Sequence, residues 1–421
     1  MPAIPQRVPY VMCAVALVGL YGWLATLGYG QNSDTYAILR SWQRMVDSGV
    51  YVPSRGQGYP VPELVIGWLA SRGGSLASNA FSVMLALGTL VLGYDGLRRL
   101  NLPGALPATV FVMANPHWAI AGTTSLDYVY GAFFFVLGVW LLSREWSTAA
   151  MLALAFATGS RIVYGPLGLG VLVAAWMVAP LEQRRDRMER IVGFCLVSGL
   201  FYLPALITAR VTTNFLYHTD PPNNALAAHV ARFLWKTPGL YGNVGAVILV
   251  LALGPRLWRL ARDRAAWRGL SAERRLVVAG ALGVLGYSTL LFAYLPAEVG
   301  YQIPSLLAVA VLLAALEVPT AWLAALIASQ VLLMVARPDV LTITTAPRGC
   351  MDATVPVGAT FDPAVKPGVL VAHVGQVRAA SCRLWHLPHP VGDAWTPLPS
   401  PRLSRPKLPV DPPLDPPAPR P

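Results

Sequence analysis

The sequence predicts an all-α polytopic membrane protein. Three observations carry that prediction. Of the 421 residues, 55% are hydrophobic and only 12% are charged, where a soluble domain carries about 25% charged residues. The mean hydropathy is +0.53. Apolar runs near spanning length recur from the N-terminus to about residue 335, separated by short connections that carry most of the arginines. The net charge of +12 would suggest nucleic acid in a soluble chain. Arginines set between apolar runs act instead as topological anchors, and no nucleic-acid partner is expected.

Taken in order, the runs are 10–28, 75–97, 105–120, 128–143, 147–160, 163–179, 191–209, 240–257, 276–295, 302–316 and 322–335. This gives about eleven spans, several of them short. Run 10–28 has no small-residue cleavage site followed by a soluble chain, so it reads as the first span rather than a signal peptide. Segment 64–69 is too short to cross and reads as an interfacial helix. With the N-terminus in the cytoplasm, the densest arginine stretches, 183–190 and 256–275, both fall inside.

Residues 1–336 then form one transmembrane domain, with a first external loop at 29–74. An odd span count places the remainder outside, as a small exported segment at 337–386 and a Pro-rich tail at 387–421. Cys350 and Cys382 lie in the exported segment, where an oxidising compartment allows them to pair. Full alkylation of both thiols without reductant would contradict that disulfide.

The first loop holds NSDTYAILRSWQRMVDSGVYVPSRGQGYPVPE at 32–63. Ser33 or Asp34 can cap a helix. Ile38, Leu39, Trp42, Met45 and Val46 recur at helical spacing, with Arg40, Gln43, Arg44 and Asp47 opposite. That pattern is an amphipathic surface helix, and Gly49 stops it. Arg55-Gly56-Gln57-Gly58-Tyr59-Pro60 and Glu63 follow.

An acidic residue just after the first span, a surface helix and a Gly/Tyr/Pro turn resemble the first external loop of the GT-C glycosyltransferases. These are multi-span membrane enzymes that use polyprenyl-phosphate sugars. The resemblance implies transfer of a sugar, as in a mannosyltransferase, from such a donor to a hydroxyl on a glycan, lipid or protein. The setting it implies is a bacterial inner membrane, with the site facing outside.

In this reading Asp34 stands at the acidic position as catalytic base. Glycosyl transfer needs a base for the acceptor's proton, and a lipid phosphate departs without the acid that glycoside hydrolysis requires. As a sequence feature alone, Asp34 serves equally well as a helix cap.

Charge on a departing phosphate calls for arginines. Arg55, Arg161 and Arg232 all fall on the external side and are the candidate donor-phosphate ligands. Arg161 interrupts an apolar stretch, and Gly159-Ser160-Arg161 resembles the family's Gly-x-Arg between spans. A snorkelling turn arginine is the other reading. Asp127 opens the run at 128–143 and matches a second-turn carboxylate that contacts donor or metal in the family; helix capping is the alternative. Tyr59 and Glu63 in the first loop, with Glu298 and Tyr301 in a late turn that also resembles the family's, complete the expected sugar and acceptor contacts; a helix start is the other reading of Glu63 and of the late turn.

The external loop at 210–239 carries His218, Asp220 and His229 without metal-ligand spacing. No cofactor is assigned, and a divalent metal stays open. P-loop, HExxH and CxxC signatures are absent from the sequence, which argues against an ATP-driven pump or a zincin. A secondary transporter or lipid flippase is the competing class. Such proteins place ionisable groups at midplane in repeated halves, whereas here they gather in external loops.

Overall fold

Helix alone builds the described part of the chain. The computed structural model describes residues 7–335, apart from 27, 30–32, 56–57, 210–225, 295 and 297–298. Fifteen α-helices follow one another: α1 Val8–Ala25, α2 Ser33–Ser48, α3 Pro60–Arg99, α4 Ala105–Ala114, α5 Pro116–Thr123, α6 Tyr128–Leu142, α7 Ser147–Ser160, α8 Tyr164–Met177, α9 Leu181–Ala209, α10 Leu226–Gly239, α11 Gly242–Arg262, α12 Arg264–Gly269, α13 Ala272–Tyr294, α14 Ile303–Ala315 and α15 Thr320–Val335. There is no strand among the described residues.

Among the described residues, five helices, α1, α3, α9, α11 and α13, are long and apolar enough to cross a bilayer, and α5 with α6 makes a sixth if the pair, bent by 99°, counts as one span. The protein is a polytopic all-α membrane protein. The expected count of about eleven spans is not reached on these criteria. The shortfall lies in α4, α7, α8, α14 and α15, apolar helices of only 10 to 16 residues. At 1.5 Å per residue α4 is about 15 Å long, half of a hydrocarbon core of about 30 Å. Of these helices, α4 and α14 are buried along nearly their whole length, as is α5. Helix ends at membrane depth are tolerated when protein surrounds them.

The break at 115 shows how this comes about. The apolar run 105–120 reads as one span, yet it divides into α4 and α5. Pro116 has no N–H to continue the helix, and it pushes Asn115 into the extended region, at φ −70° and ψ 128°. The Asn115 carboxamide then caps α5, accepting from the backbone N–H of His117 at 3.0 Å and Trp118 at 3.2 Å. Tyr21 of α1 donates to the carbonyl of Met113 at 2.7 Å, satisfying one of the carbonyls that the end of α4 leaves open.

A second break divides α3. Gly74 takes φ 63° and ψ −156°, a conformation open essentially to glycine. Residues 60–72 thus form a helical segment of their own, which includes the expected helix at 64–69. Its inner side carries Val61, Glu63, Ile66 and Ala70, whereas Leu64 and Trp68 are exposed. The predicted amphipathic helix is α2. Its Ile38 and Leu39 are buried and its Arg44 and Asp47 exposed, and its Trp42 packs directly against Gly67 of α3.

Candidate active site

Four connections meet at one end of the bundle: the start of α2, the 49–59 loop, the 124–127 turn before α6, and the 161–163 turn after α7. A polar group holds one of them, the 124–127 turn, in place. Asn79, fully buried on α3, donates to the carbonyls of Ala25 at 3.1 Å and Gly28 at 2.8 Å. Its own carbonyl accepts from Ser125 at 2.8 Å, and the hydroxyls of Ser125 and Ser78 lie 2.6 Å apart. One side chain thereby ties the end of α1 to the turn that carries Asp127.

At that meeting point stands a chain of alternating charges. The Asp34 Oδ2 accepts from Arg55 Nη1. The other end of the same guanidinium, Nη2, lies 3.2 Å from Asp127 Oδ1. Asp127 Oδ2 accepts from Arg161 Nη1 at 2.7 Å. Asp127 is fully buried and the Arg161 side chain is 3% exposed, whereas Asp34 and Arg55 are 14% and 16% exposed. The chain therefore runs from a dry interior pair to a partly open one.

Tyrosines wall the cations. The Arg161 guanidinium lies 4.0 Å from the Tyr128 ring centre, 4.9 Å from Tyr301 and 5.4 Å from Tyr59. Arg55 lies 4.2 Å from Tyr59. These faces attract cations and keep water away. Burial works most strongly against the charge of both guanidiniums, but Asp127 and the surrounding tyrosines, with Asp34 for Arg55, together outweigh it and hold their pKa values above that of free arginine. Burial also pushes the Tyr59 hydroxyl up, against the pull of Arg55 and Arg161.

The structure thus brings together Asp34, Arg55, Tyr59, Asp127, Arg161 and Tyr301 from five separate stretches of sequence. Asp127 precedes α6 but makes no capping bond with its side chain; its oxygens go to the two arginines. Arg161 does not snorkel, since it ends α7 in an extended conformation, φ −154° and ψ 122°, and turns inward. Glu63 is fully buried, and its carboxylate accepts from Tyr51, from the Ser54 hydroxyl and from the Ser54 N–H at 2.9 Å. Arg232 lies on α10 with its side chain outside the described residues. Glu298, His218, Asp220, Cys350, Cys382 and the 337–421 segments are outside them altogether.

Sequence reasoning passed over Tyr128, Tyr51, Ser54 and Asn79. The adjacency of Tyr51 and Ser54 to Arg55, and of Tyr128 to Asp127, was the available signal. Asn79, a lone amide in an apolar run, was another.

Among the described residues, no three His, Cys, Asp or Glu side chains gather to hold a metal ion. The two carboxylates of the cluster, Asp34 and Asp127, are each taken up by a guanidinium. This donor set does not fit a divalent cation.

No protein-family model matches the sequence, and no curated protein matches it. Among solved structures, the chain is similar to the crystal structure of ArnT from Cupriavidus metallidurans bound to undecaprenyl phosphate, with TM-score 0.52 and 15% identity over 73% of this chain. The chain shares the fold of that ArnT structure. It spans 59% of the length of that ArnT chain. The apo ArnT structure from the same organism aligns with TM-score 0.49 and 16% identity, over 72% of this chain and 58% of ArnT.

Proposed function

We propose that the protein is a membrane glycosyltransferase that moves a sugar from a polyprenyl-phosphate donor to an acceptor hydroxyl. One observation carries the reading. A partly exposed carboxylate, Asp34, is bridged through Arg55 to a buried Asp127–Arg161 pair, on a fold shared with a protein crystallised with undecaprenyl phosphate.

The chemistry assigned to these groups is a single displacement. The acceptor oxygen attacks the anomeric carbon as the bond from that carbon to the phosphate oxygen breaks, so the configuration inverts. The acceptor's proton passes to the Asp34 carboxylate, and the electron pair leaves with the lipid phosphate. Arg55 and Arg161 receive the growing charge on the phosphate, and Arg232 is a further candidate for that role. Asp127 fixes both arginines in place before the donor arrives, so little reorganisation is left for the reaction. Tyr59 and Tyr301, and with them Asp127 and Glu298, are the groups proposed to shape the sugar and acceptor subsites, with Glu63 behind them.

The proposed setting is a bacterial inner membrane, with the donor entering sideways from lipid and the acceptor arriving from outside. The transporter or flippase reading is less well supported, because the buried charges sit in connections at one end of the helices rather than midway along them. The test is to incubate the purified protein with a panel of polyprenyl-phosphate sugars, mannose first, plus glycan, lipid and peptide acceptors. Release of the lipid phosphate with at least one pairing is the expected result. Recovery of every donor intact, with movement of a lipid across vesicles instead, would favour the flippase.

A further inference from the structure

Glu63 is a buried acid that the proposed displacement does not use. It has no ion pair among the described residues. Instead, three hydrogen bonds into its carboxylate come from one short stretch of chain, the Tyr51 hydroxyl, the Ser54 hydroxyl and the Ser54 N–H, and the Tyr59 backbone adds another from the far side of the Arg55 turn. A carboxylate removed from water needs such donors, and here two of them, Tyr51 and Ser54, are the first and last of the four residues that lead into Arg55.

The same stretch is held from its other side. Ser41 of α2 donates to the carbonyl of Val52. The turn that follows closes with the Gly58 N–H on the Arg55 carbonyl at 2.7 Å. Gly58 has φ 74°, and a Cβ there would overlap the Tyr51 hydroxyl and lie 2.9 Å from the Cβ of Pro53. Glycine is thus needed both for the turn and for Tyr51 to pass over it to Glu63.

We propose that Glu63 is a positioning residue: it clamps the 51–54 stretch onto α3 so that the Arg55 guanidinium spans Asp34 and Asp127. Its role in catalysis rests on the glycosyl-transfer reading; the clamp itself does not. Arginine carries the longest run of rotatable bonds in the site, and its two ion pairs originate on different elements. Holding its backbone is the economical way to make one side chain reach both. Without the clamp, Arg55 is free to leave the cluster while the helices stay packed.

Two readouts test this, one independent of transfer. The Arg55–Gly56 bond is a trypsin site. In the purified full-length protein, Glu63→Gln, Tyr51→Phe and Ser54→Ala are each expected to raise cleavage after Arg55 about tenfold or more, with digestion at other arginines unchanged. Turnover per folded molecule should fall about tenfold to a hundredfold, with the acceptor KM unchanged. If Glu63 touched the acceptor directly instead, Glu63→Gln would raise the acceptor KM, and Tyr51→Phe and Ser54→Ala would have no effect; that pattern overturns the proposal. Wild-type cleavage after Arg55 in all three variants overturns it too. If Glu63→Gln fails to fold, the other two variants decide. Absence of any transfer by the wild type counts against the function proposed above, and the cleavage comparison still judges the clamp.

Discussion

The two ends of the bundle carry the same unit in different surroundings. At one end Asp127 binds Arg55 and Arg161, with Tyr128 against Arg161. At the other end of α3, Asp95 binds Arg99 at 2.6 Å and Arg144 at 3.3 Å, with Trp140 donating to it at 2.8 Å and lying 4.7 Å from the Arg144 guanidinium. Each is one carboxylate, two arginines and an aromatic ring. The Asp95 group is 33% exposed and its arginines 33% and 48%, whereas Asp127 is fully buried.

That difference sets what each group does. In water every ion keeps most of its solvation without its partner, so pairing adds little. In the interior each ion depends on the others, and removing one leaves charge without compensation. The Asp95 group anchors helix ends at a wet surface. The Asp127 group holds Arg161 dry and Arg55 partly open, an arrangement that an anchor does not need and that the proposed phosphate site would use.

The comparison can be broken by substitution, and the largest effect belongs to the buried carboxylate. Asp127→Ala leaves Arg55 and Arg161 facing one another and should destabilise the fold by about 3–5 kcal/mol, read as a lowered thermal midpoint in detergent. An unchanged midpoint would mean that water reaches the pair. Asn79→Ala comes next, because it removes the donor to the Ala25 and Gly28 carbonyls and one acceptor of the Ser125 hydroxyl. A loss of about 1–3 kcal/mol is expected, with reduced turnover as the end of α1 and the Asp127 turn lose register. Arg161→Lys keeps the charge but loses the planar fork and its stacking; turnover should fall about tenfold or more while the protein still folds. Smallest is Asp95→Asn, for which the thermal midpoint and turnover should both match the wild type.

The fold was legible where hydropathy decides it, and illegible where neighbours do. The helix of Ser33–Ser48 and the long apolar helices follow from periodicity and composition. The count of spans turns on α4, α7, α8, α14 and α15, apolar helices of 10 to 16 residues whose ends are set by their neighbours rather than by hydropathy. Asn115-Pro116 was a readable break, carrying both a capping amide and a helix-stopping ring, but it lay inside an apolar run and the run prevailed.

In the site, the charged members stood out because ionisable groups beside apolar runs need a reason. That Asp127 and Arg161 pair with each other, 34 residues apart, is a tertiary fact with no local signature. Tyr51, Ser54 and Tyr128 are unremarkable in sequence, since neutral side chains gain their meaning from what they are folded against. Glu63 was expected to meet the sugar or acceptor; its carboxylate faces the loop instead.

The most direct test of the central claim is release of lipid phosphate by Asp34→Asn, under conditions where the wild type turns over. The substitution keeps shape and removes the proton acceptor. Loss of about 10²–10⁴-fold in turnover, from a protein that purifies and melts like the wild type, is the predicted result. Turnover at the wild-type rate would contradict it and remove Asp34 from the chemistry.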